Sequence, residues 1–527
     1  MTHSVLQRRQ WLQLAALGGA SLCLPRRAWA QAKFDTSPFG LGVASGSPTH
    51  DSVVLWTRLM PPVPASFNSV GVSVKWEVAH DDKFTRIVQS GQSTAVAGLA
   101  YSVHAEVQGL APDRWYFYRF IVGDAVSPVG RTRTFPAPDA VVSGLRLAYA
   151  SCQRWEHGYF SAYRHMAEEN LDLVMFLGDY IYEYPRAANG VRTAPGGWVL
   201  TLDDYRQRYA THKQDADLQT MHAACPWLVT WDDHEVQNDY AGLSVGENGP
   251  DVADFAARRS AAYQAFYEHM PVRASVLTRA VAGMATGAEM RIYNRVQFGQ
   301  LASFTMLDAR QYKSPQVCTR DDKRGSSTVN PANCPAWADP ARTMLGAEQE
   351  HWLDANWASQ QTKSTGWNIV GQQSLLGQRD WKAGPEQSLW NDGWDGYSAA
   401  RTRLIDSARK SEVPNLVVLG GDVHENWVGQ IKADYAQANS GAVGVEFCGT
   451  SITSRSGGNA KLAETLAENP HFVFADAERK GYGVVDVSAR QLKTTLRVVT
   501  DVTRQDAGIE TLAQFTVASG RAVVERL

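Results

Sequence analysis

The chain has 527 residues, of which 44% are hydrophobic and 20% charged, and its formal net charge is −3. Such a length predicts two or three domains, each able to bury a core. The balanced charge, with no basic block, excludes nucleic-acid binding of the electrostatic kind, and no internal stretch is apolar for long enough to act as a transmembrane anchor.

Residues 1–30 read as a leader rather than as part of the fold. Arg8-Arg9-Gln10-Trp11-Leu12 is a twin-arginine pair followed by bulky apolar residues, and Ala28-Trp29-Ala30 has the form of a cleavage site. The expectation is a twin-arginine signal peptide cut near Ala30, with the twin-arginine export machinery as a partner. The mature protein is then periplasmic or extracellular. Cys23 follows bulky Leu22, which argues against lipidation, and it leaves with the leader.

Residues 36–138 read as a small all-β domain. Stretches 52–59, 70–78, 101–107 and 116–122 alternate or are β-branched and aromatic, with Gly, Pro and Asp between them. Leu110-Ala111-Pro112 before Tyr116 resembles the tyrosine corner of fibronectin type III domains, which predicts an immunoglobulin/fibronectin-III-like sandwich. Phe135-Pro136-Ala137-Pro138-Asp139 marks a hinge.

From residue 144 to 527 the pattern becomes α/β. A strand at 145–150, helical spacing over 159–170 and a strand at 173–177 make a β-α-β unit. Helices are expected at 205–212, 251–269, 346–360 and 399–411, and closing strands at 482–487 and 492–500; residues 511–527 fit strand and helix alike. Cys318 and Cys334 lie in a polar segment without period, 313–340, and predict a disulfide in an oxidising compartment. Cys225 and Cys448 sit in apolar surroundings and read as buried thiols.

Four apolar runs end in residues of the kind that bind metals. Ser151-Cys152-Gln153 follows 145–150, and Gly178-Asp179-Tyr180-Ile181-Tyr182-Glu183 follows 173–177. Asp232-Asp233-His234-Glu235 follows 227–231, and Gly420-Gly421-Asp422-Val423-His424-Glu425-Asn426 follows 416–419. Such runs read as buried strands, and ligands gather beyond the carboxyl ends of strands in α/β folds. Carboxylates, imidazole, phenol and thiol meeting there stay buried and unpaired unless cations neutralise them. Asp179 beside Tyr182 suits a hard trivalent metal such as ferric iron, whereas Asp232 and Asp233 suit calcium or magnesium. His234 is placed to act as a proton donor or transition-state contact, and Asp422 and His424 share one side of an extended segment. Ser151 has no adjacent His-Asp arrangement and there is no Walker-type loop, so a serine nucleophile and nucleotide-triphosphate chemistry are unsupported.

Taken together, these motifs and Leu307-Asp308-Ala309-Arg310-Gln311-Tyr312 resemble the PhoD family of alkaline phosphatases and phosphodiesterases, within the calcineurin-like metallophosphoesterases. The resemblance runs over nearly the whole mature chain. It implies a metallophosphoesterase sandwich, with two central mixed sheets flanked by helices, behind the all-β domain. The superfamily's first Asp-x-His motif is replaced here by Cys152, as in the PhoD branch. By position, Cys152, Asp179, Tyr182 and His424 would hold ferric iron. Asp179 would bridge to calcium, held also by Asp232 or Asp233 and by Asp422. His234 would be the acid or phosphate contact, and Asn238 and Arg310 would touch phosphate or support the ligands. The implied activity is hydrolysis of phosphoric mono- or diesters by a metal-activated hydroxide. A phospholipase D-like or cell-wall polymer diesterase could use the same centre, and a binding protein without catalysis is the rival from another class.

Overall fold

The computed structural model describes residues 34–60, 71–185, 187, 189–277, 289–320 and 324–527. The expected leader and its cleavage site lie outside the described residues. Backbone proximity divides the chain into two units, each discontinuous in sequence: Met1–Phe135, Val199–Leu228 and Val252–Ile292 in the first, and Pro136–Trp198, Val229–Asp251 and Tyr293–Leu527 in the second.

In the first unit the N-terminal region is all β. Val43–Gly46, Val53–Arg58 and Ser102–Val107 form an antiparallel sheet. A second antiparallel sheet runs in the order Ile87–Ala95, Val72–Ala79, Trp115–Val122, Gly130–Arg133. Trp115–Val122 buries alternate side chains, Tyr116, Tyr118, Phe120 and Val122, as the two-residue period of a half-buried strand requires. These side chains share a core with Val43, Val53, Leu55 and Val103 of the other sheet. Among its described residues the unit also has three α-helices, Leu202–Lys213, Ala216–Ala224 and Phe255–His269. Thr201 and Asp204 form a capping box on the first of them, and Asp215 and Asp254 cap the others.

The second unit contains two mixed sheets. In one, Leu173–Phe176 pairs parallel with Gly144–Ala150, and Gly481–Ser488, Gln491–Val499, Ile509–Ala518 and Glu525–Arg526 follow as an antiparallel meander. The other has seven strands, in the order Asn294–Phe298, Ala302–Met306, Trp367–Gly371, Leu416–Gly420, Ala442–Cys448, Asn426–Lys432, Phe472–Asp476. Its inner pairs are parallel and its outer pairs antiparallel. The two sheets meet face to face where Phe515 packs on Phe447 and Phe474, with ring centroids 6.2 and 5.5 Å away. Helices Ser161–Glu168, Ala347–Ala358 and Ser398–Lys410 stand where helical spacing predicts them. Parallel strands ending on the same side bring their following loops to one crevice, and those loops carry all the clusters singled out in the sequence.

Candidate metal centre

The crevice is built from strained loop ends. Cys152, Asp179, Asp422 and His424 all have positive φ, between 59 and 66°, a region that costs a non-glycine residue energy and persists only where the surroundings over-determine it. Gly178, at φ 108°, lets the second loop touch the third, because a Cβ there would lie 2.5 Å from Asp232 Cβ. Glu235 then ties both loops together. Its buried carboxylate accepts from the backbone N–H groups of Asp179 at 3.1 Å, Tyr180 at 2.6 Å and Asp232 at 2.8 Å.

Cys152, Asp179 and His424 offer ligand atoms that all lie within 4.8 Å of one another. Tyr182 joins them, donating from its hydroxyl to Asp179 Oδ2 at 2.8 Å and lying 3.1 Å from His424 Nε2. His424 Nδ1 is 2.9 Å from the Arg455 carbonyl, an acceptor that fixes the proton on Nδ1 and turns Nε2 into the group. Ser454 Oγ reaches both the Tyr182 hydroxyl at 2.7 Å and the Cys152 carbonyl at 2.9 Å. Burial, then the charges of neighbouring carboxylates, pushes the Cys152 thiol and the Tyr182 phenol well above their ordinary pKa. Burial also opposes ionisation of Asp179, but His234, His424 and the Tyr182 hydroxyl outweigh it and hold the carboxyl below its usual range.

Asp179, Asp233 and His234 form a second group of the same compactness; Asp232, Asp233 and Asp422 form another, and Asp233, Asp239 and Asp392 another. Arg310 runs between the last two. Its Nε donates to Asp232, one terminal nitrogen donates to Asp392 at 2.6 Å, and the other lies 3.7 and 4.0 Å from Asp233 and Asp422. Lys313 donates to Asp392 at 2.5 Å. Even so, burial pushes Asp232 and Asp422 well up, reinforced by their acidic neighbours. The two adjacent aspartates differ in what they have left to offer. Asp233 accepts backbone N–H groups on both oxygens, from His234 at 2.9 Å and Asp239 at 2.6 Å. Asp232 Oδ2 and Asp179 Oδ1 are buried oxygens with no hydrogen-bond partner. A buried, unpaired carboxylate oxygen is costly, and two of them facing thiol, phenol and imidazole donors fit a site for cations.

His234 is 7% exposed and lies beside the first group, with its ring 4.1 Å from that of Tyr182. Its Nδ1 pairs with Glu183 Oε2 at 2.7 Å, while Glu183 Oε1 accepts the Asn238 backbone N–H at 2.8 Å. Burial lowers the imidazole pKa, but Glu183, Asp233 and Asp179 reverse the sign and hold it well above its ordinary value. The Asn238 side chain is half-buried. The disulfide joins Cys318 to Cys334, and Cys152, Cys225 and Cys448 are buried free thiols.

The structure thus brings Cys152, Asp179, Tyr182, Asp232, Asp233, His234, Arg310, Asp422 and His424 into one crevice. Glu183, Glu235, Asp239, Asp392, Lys313 and Ser454 were not assigned roles in the sequence. Glu183 and Glu235 stand inside the quoted motifs, so their acidity beside an apolar strand was the available signal; Asp392 lies in the aromatic, Gly-rich stretch 390–397, which reads as a cleft rim, and Ser454 arrives from a distant segment with no signal.

The description of the PhoD-like phosphatase family matches residues 147–496, and that of the PhoD-like phosphatase N-terminal domain matches residues 25–136. Alkaline phosphatase D of Bacillus subtilis (strain 168) is 44% identical over 497 residues, covering 92% of this chain and 82% of that protein. A solved structure described as PhoD superposes with a TM-score of 0.85 at 43% identity, covering 94% of this chain and 93% of that one.

Proposed function

The chain belongs to the PhoD-like phosphatase family and is a hydrolase acting on phosphoric esters; from that premise we propose which side chains of the crevice do the work. The observation that carries the assignment is the pair of buried, unpartnered oxygens, Asp179 Oδ1 and Asp232 Oδ2. Cys152, Asp179, Tyr182 and His424 would hold ferric iron. Asp179, Asp232 and Asp422 would hold calcium, with Asp179 shared. Asp232 is preferred to Asp233 because both Asp233 oxygens already serve backbone donors. When bound, such cations supply Lewis acidity to a water and positive charge to the phosphate oxygens.

The chain's own residues supply the rest. Glu183 fixes the ring of His234 so that Nε2 faces away from it, toward the oxygen of the departing alcohol. Arg310 keeps the acidic group compact, and neutralises part of its charge, through Asp232 and Asp392. Little more than positioning and charge stabilisation is needed for phosphoryl transfer. Asn238 is a candidate phosphate contact.

The twin-arginine pair, the disulfide and the absence of a membrane-crossing helix among the described residues support export to the periplasm or beyond. The domain division 36–138 and 144–527 parallels the two family matches. Tyr116 donates to the Ala111 carbonyl at 3.3 Å and accepts the Ala111 N–H at 3.0 Å, which supports an immunoglobulin-like arm with a tyrosine corner.

The test compares turnover of nitrophenyl phosphate and bis-nitrophenyl phosphate, first with calcium and then with a chelator. Turnover that stops on chelation and returns with calcium is the expected result, and the ratio of the two substrates says whether monoesters or diesters fit better. Turnover indifferent to chelation and to added calcium would overturn the calcium assignment.

A further inference from the structure

On the side of His234 that Tyr184 covers, the wall of the crevice changes from acidic to aromatic and cationic. The Tyr184 ring stands edge-on to His234 at 5.1 Å and to Trp198 at 5.5 Å. The guanidinium of Arg154 lies over the Tyr184 face, 4.7 Å from its centroid, and 5.7 Å from that of Tyr182. The Arg154 backbone is pinned, its N–H donating to Ser454 Oγ at 3.2 Å and its carbonyl accepting from Thr453 Oγ1 at 2.7 Å. The same Ser454 serves Tyr182 and Cys152. Arg154 is therefore placed by the metal centre's own scaffold.

Its side chain is underused. Arg310 donates to two carboxylates and approaches two more. Arg154 has no side-chain hydrogen bond among the described residues. Its Nε is buried without a hydrogen-bond partner and ion-paired with the buried Glu156 carboxylate at 3.5 Å, which leaves the terminal nitrogens to a ligand. The side chain is 17% exposed, so a ligand entering the crevice can reach it. A guanidinium with donors in hand, stacked on a tyrosine, binds a carboxylate or phosphate through charge-assisted hydrogen bonds and leaves ring faces for a planar group.

We propose that Arg154, Tyr184 and Trp198 form a leaving-group subsite that selects phosphoric esters whose alcohol carries a planar ring with a second anionic group. The proposal rests on the reading that His234 faces the departing oxygen. It assigns Arg154 to substrate selection and places no step of the hydrolysis on it.

The experiment uses the full chain with calcium present and compares kcat/KM on 4-carboxyphenyl phosphate and on phenyl phosphate. The ratio of the two values should fall about tenfold or more between wild type and Arg154→Ala, the worth of one charge-assisted hydrogen bond. It should recover in part in Arg154→Lys. Arg154→Gln replaces the alanine variant should the latter fail to fold. An unchanged ratio, with both substrates slowed alike, would overturn the proposal and leave Arg154 a structural residue. The His234 reading is tested apart from it: His234→Asn should slow phenyl phosphate more than nitrophenyl phosphate, whose leaving group needs no proton. Equal slowing of those two removes the premise even where the Arg154 ratio changes.

Discussion

Asp179 stands where the two halves of the crevice meet, with Oδ2 engaged by Tyr182 and Oδ1 unpartnered. Asp179→Asn keeps the shape and removes the charge, so activity should drop to background and cation content should fall; metal analysis beside the rate measurement checks both. A fully loaded, active variant would refute the shared role. Tyr182, whose phenol is pushed well above its ordinary pKa by burial and by Asp179, ionises only against a strong cation. Iron held there as proposed would give a visible phenolate charge-transfer band, which Tyr182→Phe should abolish. Ser454 has one proton to share between the Tyr182 oxygen and the Cys152 carbonyl. Ser454→Ala should move that band and cost about tenfold in activity, the usual scale for a group that supports a metal ligand. A band unchanged in Ser454→Ala would place the hydroxyl on Cys152 alone. Sequence identified Tyr182 because it shares a short turn with Asp179. Ser454 was out of reach, since a serine 272 positions away carries no mark of its partner.

Among the elements, the disulfide segment does more than its polar, aperiodic sequence suggested. Gln316 donates to the Asp239 carbonyl at 2.8 Å and to Asp392 at 2.6 Å, and Ser326 donates to Asp239 Oδ2 from both its backbone N–H and its hydroxyl. Thr328–Val329 pairs with Leu389–Trp390, next to Asp392. Replacing Cys318 and Cys334 together by Ser frees a loop of 16 residues. Loss of about 3 kcal/mol is expected from loop entropy, together with weaker calcium binding, because the acids lose their tether. A thermal melt and a calcium titration of the double variant check this, and unchanged calcium affinity would show that the segment only braces the surface. Element assignment succeeded where periodicity is strong. Trp115–Val122 alternates cleanly, and the helices on the second unit begin within a few residues of their expected positions. It failed for Ile87–Ala95, a polar stretch with only its last residue buried, whose pairing comes from its neighbour. Ala216–Ala224 offers little beyond its Asp215 cap. Residues 511–527, open between strand and helix, resolve as Ile509–Ala518 and Glu525–Arg526 because Gln491–Val499 supplies an edge to pair with.

At the scale of the whole molecule, stability should depend on pH through buried histidines of the first unit. In the first unit, His269 accepts from Arg58 at 2.6 Å, with its other nitrogen 2.6 Å from the Ala265 carbonyl. Burial first, then Arg58, holds it well below its ordinary pKa. A histidine whose folded pKa is depressed contributes stability that is fully present above the unfolded value, about 6.5, and lost as pH falls below it. Wild type should therefore lose unfolding temperature relative to His269→Gln between pH 7 and pH 5, read by calorimetry at both; parallel curves would show that the folded imidazole takes up its proton over the same range as the unfolded one, and would overturn the assignment. The sequence by itself determined that the chain has a β-rich beginning and an α/β remainder, and that thiol, phenol, carboxylates and imidazoles stand at strand ends, because alternation and apolar runs are local properties of the chain. It also placed the pairing of Cys318 with Cys334 within one short segment. Only the tertiary structure decided that Asp232 rather than Asp233 keeps an oxygen without a partner, that Glu235 binds two loops together, and that Arg154 lies over Tyr184. Those outcomes depend on which backbone donors and ring faces distant segments deliver, and pairings across hundreds of residues leave no periodic trace in the chain.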